Sequence, residues 1–134
     1  MANLATIEGI GPAYAKKMAR CGISTTGALL KNCGDRAGRR KAAKESGCNE
    51  KQILGWVNRA DLMRVKGVGE EYSDLLELAG VDTVKELATR NAENLHAKML
   101  EVNEKKKAVR RPPAASMVTA WVASAQQLAP AVTY

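Results

Sequence analysis

The chain has 134 residues, a formal net charge of +7, 46% hydrophobic residues, 4% aromatics and no phenylalanine. That length allows one domain or two lobes of about 60 residues, with cores built from Leu, Val, Ile, Met and Ala. No apolar run approaches the ~20 residues of a membrane span, and Met1-Ala2-Asn3-Leu4-Ala5-Thr6 lacks the basic and apolar regions of a secretory signal.

In chain order, Leu4 to Glu8 reads as a short lead-in helix stopped by Gly9. Pro12 suits a first helical turn, where its missing N–H has no intrahelical partner anyway. The helix it opens is expected to reach about Arg20, with Ala15, Met18 and Ala19 as an apolar face and Gly22 as its left-handed terminator. Ser24 or Thr25 then caps a short helix bearing Leu29 and Leu30. Gly34 and Asp35 start a basic helix over 36–46, on which Arg36, Arg40 and Lys44 share a face flanked by Arg39 and Lys41. Asn49 with Gln52 forms a capping-box-like start for a helix to about Arg64, whose stripe is Ile53, Leu54, Trp56, Val57, Ala60 and Met63.

The plan then repeats. Ile7-Glu8-Gly9-Ile10-Gly11-Pro12-Ala13-Tyr14 is echoed 58 residues later by Val65-Lys66-Gly67-Val68-Gly69-Glu70-Glu71-Tyr72. Beyond it Gly22 matches Gly80, Ile23 matches Val81, Thr25 matches Thr83 and Leu29 matches Leu87. Thr83 with Glu86 reads as a full capping box. A helix over about 93–109 follows, ending in the cations of 105–111 and broken by Pro112-Pro113. Ser116 is expected to cap the last helix, which carries Met117, Val118, Trp121, Val122, Ala125 and Leu128. Trp121 answers to Trp56 once seven extra residues are allowed, and both tryptophans read as core anchors. No alternating strand pattern occurs. The expected fold is all-α: two tandem helical repeats, 1–64 and 65–134, packed as a compact bundle and explained by duplication.

The repeated stretch (an apolar residue, Gly-apolar-Gly, then a helix with a small residue at Ala15 or Ser73) resembles the helix-hairpin-helix motif. Each repeat is also similar to the helical C-terminal domain of the bacterial RNA polymerase alpha subunit. Over nearly its full length the chain resembles a bacterial family, classed as a domain of unknown function, built of two such units. The resemblance implies that turn amides hold a DNA backbone phosphate. Carried onto this chain, the site is Gly9, Ile10, Gly11 and Ala13, backed by Lys16, Lys17 and Arg20, with Arg36, Arg39, Arg40 and Lys44 as a second electrostatic contact. The weaker counterpart is Lys66, Gly67, Val68 and Gly69. Unpaired amides at a helix start attract anions in general.

The two copies differ in charge. Residues 1–64 hold 12 Lys/Arg against 5 Asp/Glu, and residues 65–134 hold 9 against 9. Glu70 and Glu71 stabilise a helix start but repel a phosphate there. The second turn is therefore expected to keep the shape and lose the function, so that a bulky residue at Gly69 mainly costs stability.

Catalysis is not expected. The glycosylases that share the motif carry a lysine just after the turn, where this chain has Pro12-Ala13 and Glu70-Glu71. Cys21, Cys33 and Cys48 lack CxxC spacing and read as packing residues in a reducing cytoplasm, and His96 as an ordinary helical histidine, so neither a metal nor a cofactor is implied. Two functions follow: sequence-independent DNA binding, or a protein-interaction adaptor acting through the second repeat. The oligomeric state is left open.

Overall fold

The computed structural model describes residues 3, 4, 7 and 10–133; the expected lead-in helix and Gly9 fall largely outside them. Eight α-helices occur among the described residues and no strand, only an isolated bridge between Asn3 and Thr25. The chain is all-α.

It divides into two units. The first runs to Asp61 and regains the chain from Ala131 onward; the second is Leu62–Pro130. The boundary thus falls three residues before the expected 64/65, and the last residues join the first unit rather than the second. Their attachment is specific. The Thr133 amide donates to the Gly34 carbonyl (2.8 Å), Arg39 Nη2 donates to the Thr133 carbonyl (2.6 Å), and Val132 is buried.

The first unit holds α1 (Pro12–Ala19), α2 (Thr26–Cys33), α3 (Arg36–Ser46) and α4 (Glu50–Leu62). α3 packs on both α1 and α2. Leu4, Ile7, Met18, Leu29, Ile53, Trp56 and Val57 are buried. Ala19 lies on the exposed side of α1, so that helix offers a narrower apolar face than expected.

The second unit holds α5 (Glu70–Leu78), α6 (Val84–Ala88), α7 (Ala92–Lys106) and α8 (Ala115–Gln127). α8 packs on α6 and α7, and α5 on α7. Leu62, Val65, Leu75, Leu76, Leu87, Met99, Val118 and Trp121 are among its buried core.

Residues 58 apart repeat the same local bonds. The Ile10 amide donates to the Ile7 carbonyl (3.1 Å) and Val68 to Val65 (3.0 Å). The Ile23 amide reaches back to Met18 (3.1 Å) and Val81 to Leu76 (2.9 Å), across left-handed Gly22 and Gly80. Thr25 Oγ1 accepts from the Ala28 amide (3.1 Å) and Thr83 Oγ1 from Glu86 (3.3 Å). Both tryptophans are buried, and each tilts against the tyrosine three residues after the second glycine of its Gly-apolar-Gly stretch. Tyr14–Trp56 have centroids 5.3 Å apart at 53°, and Tyr72–Trp121 5.2 Å apart at 52°.

Three expected helix ends differ. Ser116 is not a cap: α8 starts from Ala114 without a side-chain cap bond. α7 stops at Lys106, because Lys107 turns left-handed (φ 52°) and its amide closes onto the Asn103 carbonyl (2.8 Å), well before the prolines. The Glu86 carboxylate pairs with Arg90 (2.8 Å), so among the described residues the Thr83 box shows only its threonine half. Replacing Thr25 or Thr83 by Ala is expected to cost about 1 kcal/mol each in urea unfolding, whereas Ser116→Ala should stay within ~0.5 kcal/mol.

Candidate nucleic-acid interface

α1 begins at Gly11, whose backbone is extended (φ −81°, ψ 175°). The first intrahelical bond is Ala15 N–H to the Gly11 carbonyl (3.0 Å), so the Ala13 and Tyr14 amides lie ahead of the helix ladder. Pro12 has no N–H to offer. A Cβ built on Gly11 would meet nothing within 4 Å, so the backbone there is open to close approach. Ala13 is exposed, and the first turn holds no acidic residue. Ile10 is buried and acts by anchoring the turn rather than by touching a ligand.

Lys16, Lys17 and Arg20 are all exposed. At ~1.5 Å rise per residue, Lys17 stands about 6 Å along the axis from Ala13. Its Nζ lies 5.7 Å from the centroid of the Tyr14 ring, which leans on Trp56 and whose hydroxyl accepts from Gln52 Nε2 (3.1 Å). Tyr14 thus ties Lys17 to Trp56 and Gln52, a set of contacts that the charge pattern alone did not reveal. The signal for Tyr14 was its recurrence as Tyr72 after the second turn.

α3 supplies Arg36, Arg40 and Lys44, exposed on one face as the i, i+4, i+8 spacing requires. Arg39 is different. It is 4% exposed, and its guanidinium donates to the carbonyls of Cys33 (3.1 Å), Gly34 (3.0 Å) and Thr133 (2.6 Å). The last carbonyls of α2 have no helical donors left, and only Gly34 and Asp35 separate α2 from α3. Arg39, one turn into α3, fills that need, and so it leaves the set of residues available to a phosphate. A groove of about 240 Å³ beside it is lined by Arg36, Glu50, Lys51 and Leu54, which adds Lys51 to the cations of this unit.

The second turn matches the first in an extended second glycine and differs in its chemistry. Gly69 is extended (φ −99°, ψ −164°), and a Cβ there meets nothing within 4 Å. A side chain at Gly69 therefore fits, contrary to the expected stability cost. The sensitive position is Gly67, at φ +90°, where a Cβ would stand 3.2 Å from Trp121 Nε1. Lys66 is exposed and Val68 buried, while Glu70 and Glu71 occupy the first turn of α5. Asp74 and Leu78 stand where the first copy has Lys16 and Arg20.

Among the described residues no group of three His, Cys, Asp or Glu side chains is placed to hold a metal ion. The Cys33 thiol is pushed up to about 11 by burial, with the Arg39 guanidinium pulling it partly back. Cys21 is raised by partial burial and by Glu45. Both remain thiols at neutral pH, the less nucleophilic form. No helix among the described residues is long and apolar enough to cross a membrane.

A family model described as a domain of unknown function, DUF4332, matches residues 8–128. The chain belongs to the DUF4332 family. The match spans both hairpin turns and both tryptophans, so the paired plan described above lies within the DUF4332 region. No curated protein and no solved structure matches the chain.

Proposed function

We propose that this DUF4332 protein is a non-catalytic, sequence-independent DNA-binding module, and that its two units are duplicated copies of a helix-hairpin-helix-type plan of which the first is the working one. The observation that carries this reading is the start of α1. Amides at Ala13 and Tyr14 ahead of the helix ladder, an unobstructed Gly11 and no carboxylate in the first turn adjoin Lys16, Lys17 and Arg20. Backbone amides and cations of this kind hold phosphates without reading bases. α1 packs on α3, so Arg36, Arg40 and Lys44 stand exposed on a neighbouring helix and add to the positive charge of the first unit.

Mobility shifts on unrelated duplexes over a salt series test it. With about three phosphates neutralised, log affinity falls with log salt at a slope near −3, and sequence hardly matters. Reversing Lys16 and Lys17 to Glu is expected to weaken every duplex alike and to flatten the slope by about 2. Salt-insensitive retention, or none at low salt, would discard the reading. The adaptor alternative draws on the second hairpin, where Asp74 and Leu78 replace a lysine and an arginine.

A further inference from the structure

The two large hydrophobic side chains left exposed among the described residues both lie in the second unit: Leu78 on α5 (43% exposed) and Leu100 on α7 (41%). Their surroundings carry opposite charge. Leu78 follows Glu71 and Asp74 at i+7 and i+4, so one flank of α5 presents two carboxylates and a leucine. Leu100 opens onto a groove of about 420 Å³ whose other walls are Val109, Pro112, Lys107, Arg110 and Glu104. Lys105, Lys106 and Arg111 are further exposed cations in the same stretch of chain. The only ion pair among these basic residues within the described region is the exposed Lys105–Glu101 contact at 3.7 Å.

Cations at a helix C-terminus are ordinary, since the helix dipole favours them. Two things here are not. An exposed leucine sits beside them, and the segment that walls the groove is fixed in place. Asn103 Oδ1 accepts from the Val109 amide (2.9 Å), Tyr72 donates its hydroxyl proton to the Arg111 carbonyl (3.0 Å), and His96 Nε2 donates to the Pro113 carbonyl (2.9 Å). Lys107 holds a left-handed helix-end position of the kind glycine usually fills, at a conformational cost. The groove is pre-formed, which lowers the ordering cost of filling it.

We infer that the second unit is a self-association surface: the acidic Leu78 flank of α5 in one copy docks into the basic Leu100 groove of α7 in a second copy. α5 packs on α7, so acceptor and donor sit on neighbouring helices of one unit. A two-fold axis lets each copy give its α5 and receive its partner's at once, as isologous interfaces do. The charge complementarity selects a second copy over other occupants. The first unit lacks this flank: at the equivalent of Leu78 it has Arg20, and at the equivalent of Asp74 it has Lys16. The inference does not depend on DNA binding by the first unit and can fail separately from it.

Sedimentation velocity on the nuclease-treated full chain, across a concentration series at about 0.05 M and about 0.5 M salt, tests it. The expected result is a dimer at low salt that loosens at high salt. Leu78→Ser and Leu100→Ser should each give monomers that remain folded, as a cooperative thermal melt at dilute concentration checks. Glu71 and Arg110 are exposed and have no ion pair among the described residues. Glu71→Lys and Arg110→Glu should each raise the dimer dissociation constant by about tenfold or more, counted on both sides of the axis, and the double variant should return toward wild type. That rescue stands even if a leucine variant folds poorly. A monomer at every concentration, or a dimer indifferent to all four changes, overturns the inference. So does a monomer in which Arg110→Glu weakens DNA retention, since the groove would then be a nucleic-acid contact.

Discussion

An Arg39→Met variant is expected to lose about 3 kcal/mol of stability or more in urea unfolding. The guanidinium makes three charge-assisted bonds, to Cys33, Gly34 and Thr133, within the first unit. Removing it takes the charged donor from the buried Cys33 and Gly34 carbonyls, of which Gly34 keeps the Thr133 amide, and hydrogen bonds to charged groups contribute roughly 1.5–3 kcal/mol each, though not additively. Arg39→Lys should rescue little, because one ammonium cannot reproduce a planar fork serving two directions. Arg40→Met, one residue along and exposed, serves as the control. It should change stability by less than ~0.5 kcal/mol yet reduce the salt slope of DNA binding by about 1. A folded, fully stable Arg39→Met protein would show that the buried guanidinium is not the clamp described.

The second large effect separates the two hairpins by their glycines. Gly67→Val should cost about 3 kcal/mol in a thermal or urea melt. A β-branched residue at φ +90° is strained by ~1–3 kcal/mol, and its Cβ would press on the Trp121 indole at 3.2 Å. Gly69→Val and Gly11→Val lie in extended backbone with open space and should melt close to wild type. Their binding should differ. Gly11→Val places an isopropyl group where a phosphate would approach and is expected to lower DNA affinity about tenfold or more, whereas Gly69→Val should leave it unchanged, because Glu70 and Glu71 already repel an anion there. Replacing Glu70 and Glu71 by Lys should then strengthen binding. If folded Gly69→Val loses DNA while Gly11→Val keeps it, the working turn has been assigned to the wrong unit.

Much of this was legible in one dimension because it is local. Helix starts such as Thr25, Asp35, Asn49 and Thr83 are set by side chains that accept from backbone amides three residues or fewer away. The Gly22 and Gly80 terminators follow from the only residue type that turns left-handed without strain, and the stripe carrying Trp56 follows from helical period. Ser116 failed as a cap for a related reason: a capping residue type had been found, but the chain enters α8 from Ala114, and nothing in the short-range pattern separates the two. The end of α7 was likewise overextended, because its terminator is a lysine, a residue type that gives no stop signal.

The amino-acid sequence by itself determined the helices, the paired turns and the different charges at their first helical turns, since each depends on residues within about one helical turn of one another. Only the tertiary structure decided what those residues face. Arg39 and Arg40 are indistinguishable as letters, yet ~100° of helix rotation sends one into the α2–α3 junction and the other to solvent. The junction needs Arg39 because α2 ends with unsatisfied carbonyls, and the returning chain at Thr133 is 94 residues away, beyond any local pattern. Gly67 and Gly69 differ in the same manner. One lies against an indole contributed by a helix 54 positions on, and the other lies against nothing. Burial, and with it the division between a structural cation and an available one, is a property of packed neighbours that no single helix carries.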